Sequence, residues 1–289
     1  MKKAFSVLMV LMLTAVIFAG CAQTSGTSST PAPVPSSDAA PQSEAPAALS
    51  GNVALTGSSS MQELMEALIE AFKEVHPGVT VEAQYPGSGQ GMTAAADGTV
   101  DIGNASRELK AEEAEKLNAH VVATDGVAAI VNTANTVGDL TADQIVKIFT
   151  GEIKNWSEVG GADAPIVVIG RDEASGTRDA FQSVLGIDEP KYSQEIPSTG
   201  AVKTLVASTP DAIGYVSLEA VDESVKALSM DGVAATGENI LAGTYKLSRP
   251  FIMATNKSAT LSEQAQAFLD FALGEDGKAI ASDLGLVVG

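Results

Sequence analysis

The sequence predicts an α/β fold, and three observations carry the prediction. Short apolar strand-like runs alternate with amphipathic helical segments along residues 51–289. The run Val121–Asn132 is almost continuously apolar, as in a strand buried on both faces. No repeat of 20–50 residues is visible, which argues against a solenoid.

The elements follow in order. Asn52–Thr56 reads as a first strand. Met61, Leu64, Met65, Leu68, Ile69, Phe72 and Val75 recur at three- and four-residue spacing, so a helix with one buried stripe follows; Ser60 with Glu63 forms a capping box at its start, and Pro77-Gly78 ends it. Val79–Tyr85 is a second strand, and Pro86–Gly91 a turn into a small-residue helix reaching Ala96. Val100–Gly103 is a strand and Leu109–Leu117 an exposed helix. In the long apolar strand Asp125 stands alone. Thr141 and Gln144 cap a helix through Phe149, and Trp156 reads as a buried anchor for the loop after it. Ile166–Ile169 is a strand. Helix Val202–Ala207, strand Ala212–Val216, strand Tyr245–Thr255 and helix Ser262–Phe271 complete the chain.

The most telling segment is IVVIGRDEASGTRDAF, residues 166–181. It joins a strand to a helix through a turn bearing Arg171, Ser175, Gly176 and Thr177. Backbone N–H groups at a helix start have no intrahelical partner, and the helix dipole adds positive charge there. The hydroxyls are further donors, Gly176 lets the main chain approach closely, and the arginine fork suits phosphate or carboxylate. A Ser-Gly-Thr can equally be a simple helix cap. Three further turns carry the same device: Gly57-Ser58-Ser59-Ser60, Gly87-Ser88-Gly89 and Ser106-Arg107. In an open α/β sheet such turns gather at the carboxyl ends of the strands, where ligands bind. Together they predict one convergent oxyanion site.

The N-terminus predicts export. Lys2 and Lys3 precede an apolar run ending at Gly20, followed by Cys21, the only cysteine of the chain. Residues 1–20 therefore read as a lipoprotein signal peptide with lipidation at Cys21, although Phe18 stands where leucine is usual. A single cysteine allows no internal disulfide. Residues 22–50 hold ten Ser or Thr and five Pro with no basic residue, so 21–50 read as the lipidated cysteine and a disordered tether. Its reach is roughly 30 Å. The chain has 36 acidic and 17 basic residues, a net charge of −19, which excludes a nucleic-acid partner of the phosphate-neutralising kind. A small oxyanion in a dry cleft is not excluded, because local donor geometry outweighs distant surface charge there.

Enzyme readings find little support. The only histidines, His76 and His120, lie at a helix end and just before a strand, and no serine sits in a complete G-x-S-x-G elbow. The glycine turn at 87–91 lacks dinucleotide spacing, no Gly-Lys-Ser/Thr is present, and no zinc constellation exists, so neither cofactor nor metal is expected.

The segments TGSSSMQELM (56–65), PGSGQGMTAAADGTVDIGNASREL (86–109), DGVAAIVN (125–132), LTADQIVKIFTGEIKNWSEVGG (140–161), IGRDEASGTRDAF (169–181), AIGYVSL (212–218) and SRPF (248–251) resemble, in order, the phosphate-binding lipoproteins of ABC-type phosphate importers, the PstS family. The resemblance implies a two-lobed periplasmic-binding-protein fold, type II-like, with two crossing strands as hinge. Lobe I would comprise 51–126 plus 247–289 and lobe II 127–246, closing on one phosphate ion. It also implies delivery to the transmembrane permease subunits of an ABC importer, attachment to the membrane through lipid on Cys21, a monomer and no catalysis. Sulfate binding and a secreted phosphoester hydrolase are the alternatives.

Carried over by position, Ser59, Ser60 and Ser88 serve lobe I, and Arg171, Ser175, Gly176 and Thr177 serve lobe II. Where some family members place an aspartate, this chain has Ser106 followed by Arg107. Hydrogen phosphate carries a proton that needs an acceptor, whereas sulfate carries none. Asp125, alone in its buried strand near the lobe crossing, is the expected acceptor; pairing with Arg107 or Arg171 is its structural alternative. Asp172 and Glu173 are expected to orient arginine, and Asp101 to end a turn.

Overall fold

The computed structural model describes residues 49–289. The signal peptide, Cys21 and most of the tether lie outside that range. The strands are β1 (Gly51–Gly57), β2 (Val79–Gln84), β3 (Ile102–Ala105), β4 (Leu117–Asn132), β5 (Asp139–Leu140), β6 (Val167–Arg171), β7 (Gln194–Ile196), β8 (Ala212–Ser217), β9 (Val225–Ala227), β10 (Ser229–Met230) and β11 (Ser248–Asn256). The helices are α1 (Gln62–Val75), α2 (Ser88–Ala96), α3 (Ala111–Lys116), α4 (Ala142–Phe149), α5 (Gly176–Leu185), α6 (Thr199–Ser208), α7 (Gly237–Leu241), α8 (Glu263–Leu273) and α9 (Glu275–Asp283).

The main sheet runs in the order β2-β1-β3-β11-β4-β8-β6-β7, with β9 also on β4, and β5 pairs with β10 apart from it. β1 lies parallel to β2 and β3, whereas β11 is antiparallel to both β3 and β4. The 16-residue β4 changes partner along its length. Leu117–Gly126 pairs with β11, and Val127–Asn132 pairs with β8 and β9. β4 therefore crosses between the two halves of the sheet, and the chain returns at the start of β11, where Leu247 packs in the second half and Phe251 in the first.

Each half has its own packing. On the first, Leu64, Met65, Leu68 and Phe72 of α1 meet Val53 and Leu55 of β1 and Phe268 of α8. On the second, Ile148, Phe149, Phe181 and Tyr215 pack with Val127, Ala129 and Val131 of β4, while Ala128 and Ile130 face Val202 and Val206 of α6 on the other side. Fully burying one such large side chain contributes about 1.5–3 kcal/mol. From Asp125 to Asn132 every residue of β4 is buried, as the apolar run predicts, but the strand starts earlier and Val121 is exposed. His120 consequently lies within the strand.

Three local expectations change. The Ser60–Glu63 capping box does not form: α1 starts after Met61, which has no side-chain cap, and the Ser60 hydroxyl faces Thr177 and Thr199 instead. The C-terminal region holds α9 beyond Gly274, a segment whose EDGKAIASD sequence has little apolar period. The two- and three-residue strands β5, β7, β9 and β10 are too short for an alternation to be read. The Thr141–Gln144 capping box forms, and Trp156 is buried with its indole N–H donating to Asp211 O at 3.0 Å.

Candidate functional site

Four helix N-termini converge. α1 follows the Gly57–Ser60 turn, α2 starts at Ser88, α5 at Gly176 and α6 at Thr199. Their contacts are direct: Ser60 Oγ lies 2.7 Å from Thr177 Oγ1 and 2.9 Å from Thr199 Oγ1, and Gly89 N donates to Ala174 O at 3.1 Å. Each helix end brings unpaired N–H groups and partial positive charge to one place. Glycine is required where they meet. A Cβ on Gly176 would stand 2.3 Å from Ser88 Oγ and 2.8 Å from Ser106 Oγ. Gly87, at φ +133°, would direct a Cβ to 2.7 Å from Ala174 O.

Arg171 is the charge at this junction. It sits at the end of β6 and is 1% exposed. Its Nε donates to Ile196 O at 3.1 Å, Nη1 to Thr199 Oγ1 at 3.1 Å, and Nη2 to Ser59 Oγ at 3.1 Å and Pro197 O at 3.0 Å. Every partner is neutral, and among the described residues no carboxylate is within ion-pairing distance. Burial pulls its ionisation down to about 10 despite the opposing pull of Asp172, so it stays protonated at neutral pH.

The hydroxyls form two groups. Ser59, Ser60, Thr177 and Thr199 lie on the Arg171 side. Ser58 Oγ donates to Ser106 Oγ at 2.8 Å, and Ser106 N donates to Ser88 Oγ at 3.1 Å, next to Gly176. Ser175 is the cap of α5, its Oγ accepting from Arg178 N at 3.2 Å.

Asp125 lies behind the Ser106 turn, and its partner is Arg249 rather than Arg107 or Arg171. Its Oδ2 accepts from Ser217 Oγ at 2.7 Å and from Arg249 Nη2 at 2.9 Å and Nε at 3.2 Å. Arg249 Nη1 donates to Ser106 O at 3.1 Å, tying the acid to that turn. Oδ1 is buried and makes no hydrogen bond of regular geometry, although the Leu218 amide exerts a minor pull. Burial raises the Asp125 carboxyl, against Arg249 and Ser217; burial likewise lowers Arg249, against Asp125.

Arg107 is held elsewhere. Its Nη1 and Nη2 donate to Glu113 at 2.7 and 2.8 Å, and its Nε lies 2.8 Å from Asp179 Oδ2 in an ion pair whose angle is poor for a hydrogen bond. Lys110 Nζ approaches the same Asp179 oxygen at 3.4 Å. Burial lowers the Arg107 ionisation, but Glu113 and Asp179 overcome it and hold it up. Asp101 accepts from Ala54 N at 2.8 Å, a structural bond between neighbouring elements.

Sequence reasoning did not single out Thr199, Arg249 or Ser217. Ser198-Thr199-Gly200 is one more strand-to-helix turn of the same kind, hidden because β7 is only three residues long. Arg249 lies within the SRPF segment and pairs with Asp125 across 124 residues. Neither histidine stands with these hydroxyls: His76 packs on Phe72 and His120 Nε2 meets Thr255 Oγ1 at 3.1 Å. Among the described residues no group of acids, histidines or cysteines is arranged to hold a metal ion.

Comparison with known proteins agrees with this architecture. A family model described as the PBP superfamily domain matches residues 42–276. The phosphate-binding protein PstS of Bacillus subtilis is 38% identical, with 99% of this chain and 95% of that protein covered. A Clostridium perfringens protein described as a phosphate ABC transporter substrate-binding protein, solved with bound phosphate, superposes with a TM-score of 0.81 at 43% identity, covering 83% of this chain and all of that one. A Vibrio cholerae ABC-type phosphate transport receptor gives a TM-score of 0.69 at 34% identity, covering 82% of this chain and all of that one. With a family model spanning most of its length and a PstS relative aligned nearly end to end, the chain belongs to the PstS family of the PBP superfamily.

Proposed function

We propose that this protein captures inorganic phosphate outside the cytoplasm and delivers it to an ABC-type permease. The observation that carries the reading is Arg171: a buried guanidinium with no carboxylate partner among the described residues, set where four helix N-termini and the hydroxyls of Ser59, Ser60, Thr177 and Thr199 meet. A buried charge without a counter-charge is costly, and a small oxyanion supplies that counter-charge together with acceptors for the surrounding donors. Hydrogen bonds to a charged group contribute about 1.5–3 kcal/mol each, so five or six, less the losses of association, support micromolar or tighter binding.

Ser88, Ser106, Ser175 and Gly176 line the same junction and complete the proposed cradle, with Asp125 Oδ1 accepting the phosphate proton. Arg107 takes a different part, as a tie between the Ser106 turn and α5 through Asp179. The hinge reading supports residues 51–126 plus 247–289 as one lobe and 127–246 as the other, with β4 and β11 crossing between them. Ligand contacts from both sides favour the closed state. The chain does no chemistry in this reading, acts as a monomer and is held to the membrane through lipid on Cys21.

Calorimetry of the mature domain with phosphate, sulfate and molybdate tests the proposal. Phosphate is expected to bind and sulfate to bind far more weakly. Absence of phosphate binding sinks the reading, and preferential sulfate binding replaces it with the alternative ion.

A further inference from the structure

Beside the Arg171 junction lies a cavity of about 510 Å³ whose wall includes Ser59, Ser60, Glu63, Thr199, Lys203 and Glu219. Glu219 follows β8, two residues beyond Ser217, the residue that donates to Asp125. Its Oε2 is buried and has no hydrogen-bond partner among the described residues, and Asp125 Oδ1 has none of regular geometry there. Asp125 does not line the cavity, but it acts directly on Glu219 and is held by Ser217, two residues before it.

The charges facing Glu219 are mostly of its own sign. Asp125 of β4 and Glu63 of α1 both repel it, Glu66 and Glu70 of α1 line the same cavity, and Arg249 of β11 attracts it. Lys203 of α6 also lines the cavity, but its ammonium pairs with Asp222 at 2.7 Å. Arg249 makes two hydrogen bonds to Asp125 and one to Ser106 O, and none to Glu219. Two carboxyls that repel one another and share the attraction of one guanidinium do not both ionise readily, and the hydrogen bonds decide which one carries the charge.

We propose that Asp125 and Glu219 act as a pair in the closed protein, Asp125 ionised as the acceptor for the ligand proton and Glu219 protonated, so that capture of phosphate takes up a proton on Glu219. The proposal rests on the phosphate reading above. Glu219 is a positioning residue: by staying neutral it leaves the single negative charge of the pair on Asp125 and adds none to repel the anion. Part of its enclosure comes from Ser59, Ser60 and Glu63, on the far side of the proposed hinge, so opening exposes it to water and removes a like charge.

Burial, then Asp125 and Glu63, push the Glu219 carboxyl up to about 9 in this arrangement. Opening returns it toward the ordinary carboxyl range. The sign follows: between that range and about 9 the closed form holds the extra proton, so affinity falls as pH rises, by at most about tenfold per pH unit.

Calorimetry of the mature protein with inorganic phosphate at neutral pH, in buffers of different ionisation enthalpy, counts protons per phosphate bound. Comparison with Glu219→Gln cancels the ionisation of phosphate itself. The wild type is expected to take up about one proton more than the variant, and its affinity relative to the variant to fall as pH rises. An infrared difference spectrum of the wild type on phosphate addition, showing a new carboxylic-acid band, gives the same answer without a variant. Equal proton counts, or phosphate binding with no such band, overturn the pair. Phosphate failing to bind the wild type overturns the phosphate reading instead.

Discussion

At the scale of residues, Arg171 and Arg249 are two buried guanidiniums with opposite arrangements. Arg249 is neutralised within the fold by Asp125, and Arg171 is surrounded by neutral acceptors. The first is complete as it stands; the second has charge to offer a ligand. Asp125→Asn tests the acceptor role directly, because Asn keeps the shape and an oxygen for Ser217 and Arg249 while ending the carboxylate. The variant is expected to lose most of its preference for phosphate over sulfate in competitive calorimetry. An unchanged preference would remove Asp125 from its proposed part. Asp125 was legible in the sequence as the one acid in an apolar strand. Arg249 was not, since pairing between residues 124 apart leaves no local pattern.

At the scale of elements, the unit is a helix beginning. The start of α5 could be read because an unmistakable strand precedes Ser-Gly-Thr, and the start of α1 because its apolar stripe is strong, though Met61 rather than Ser60 stands at its cap. The start of α6 could not, for the strand that aims it is too short to show alternation. Gly176→Ala should separate fold from fit. Alanine favours a helix, so α5 is retained, but the added methyl meets Ser88 Oγ across the junction. Phosphate affinity is expected to fall by tenfold or more, about 1.4 kcal/mol, while the circular-dichroism spectrum keeps its helical content. A variant that binds like wild type would show that the two helix starts do not need this approach. Asp179, also on α5, faces Arg107 and Lys110 from across the proposed hinge. Asp179→Asn is expected to speed phosphate release a few-fold in stopped-flow measurements, the effect of losing about 0.5–1 kcal/mol of partly exposed ion pairing. A release rate equal to wild type at low salt would show the contact to be incidental.

At the scale of the whole molecule, two separately packed cores are joined through β4 and β11, so a ligand gripped from both sides stabilises the entire fold. At a phosphate concentration one hundred times Kd the gain is about 2.7 kcal/mol. For a chain of this size that corresponds to an unfolding midpoint raised by about 5–10 °C, with sulfate at the same concentration giving a much smaller rise in a thermal melt. The pairing of β3 with β11 has a further consequence, for the order in which the chain folds. Ala105 pairs with Ile252, so the sheet beneath α1 has no closing neighbour until nearly the whole polypeptide is available. The core between β4 and β8, built from residues much closer in sequence, has no such wait. Refolding should therefore protect amides of 127–217 before those of 51–116 in pulsed hydrogen exchange, and the reverse order would refute it. A polypeptide whose leading segment completes its sheet last keeps that end open while the rest of the chain is still being made.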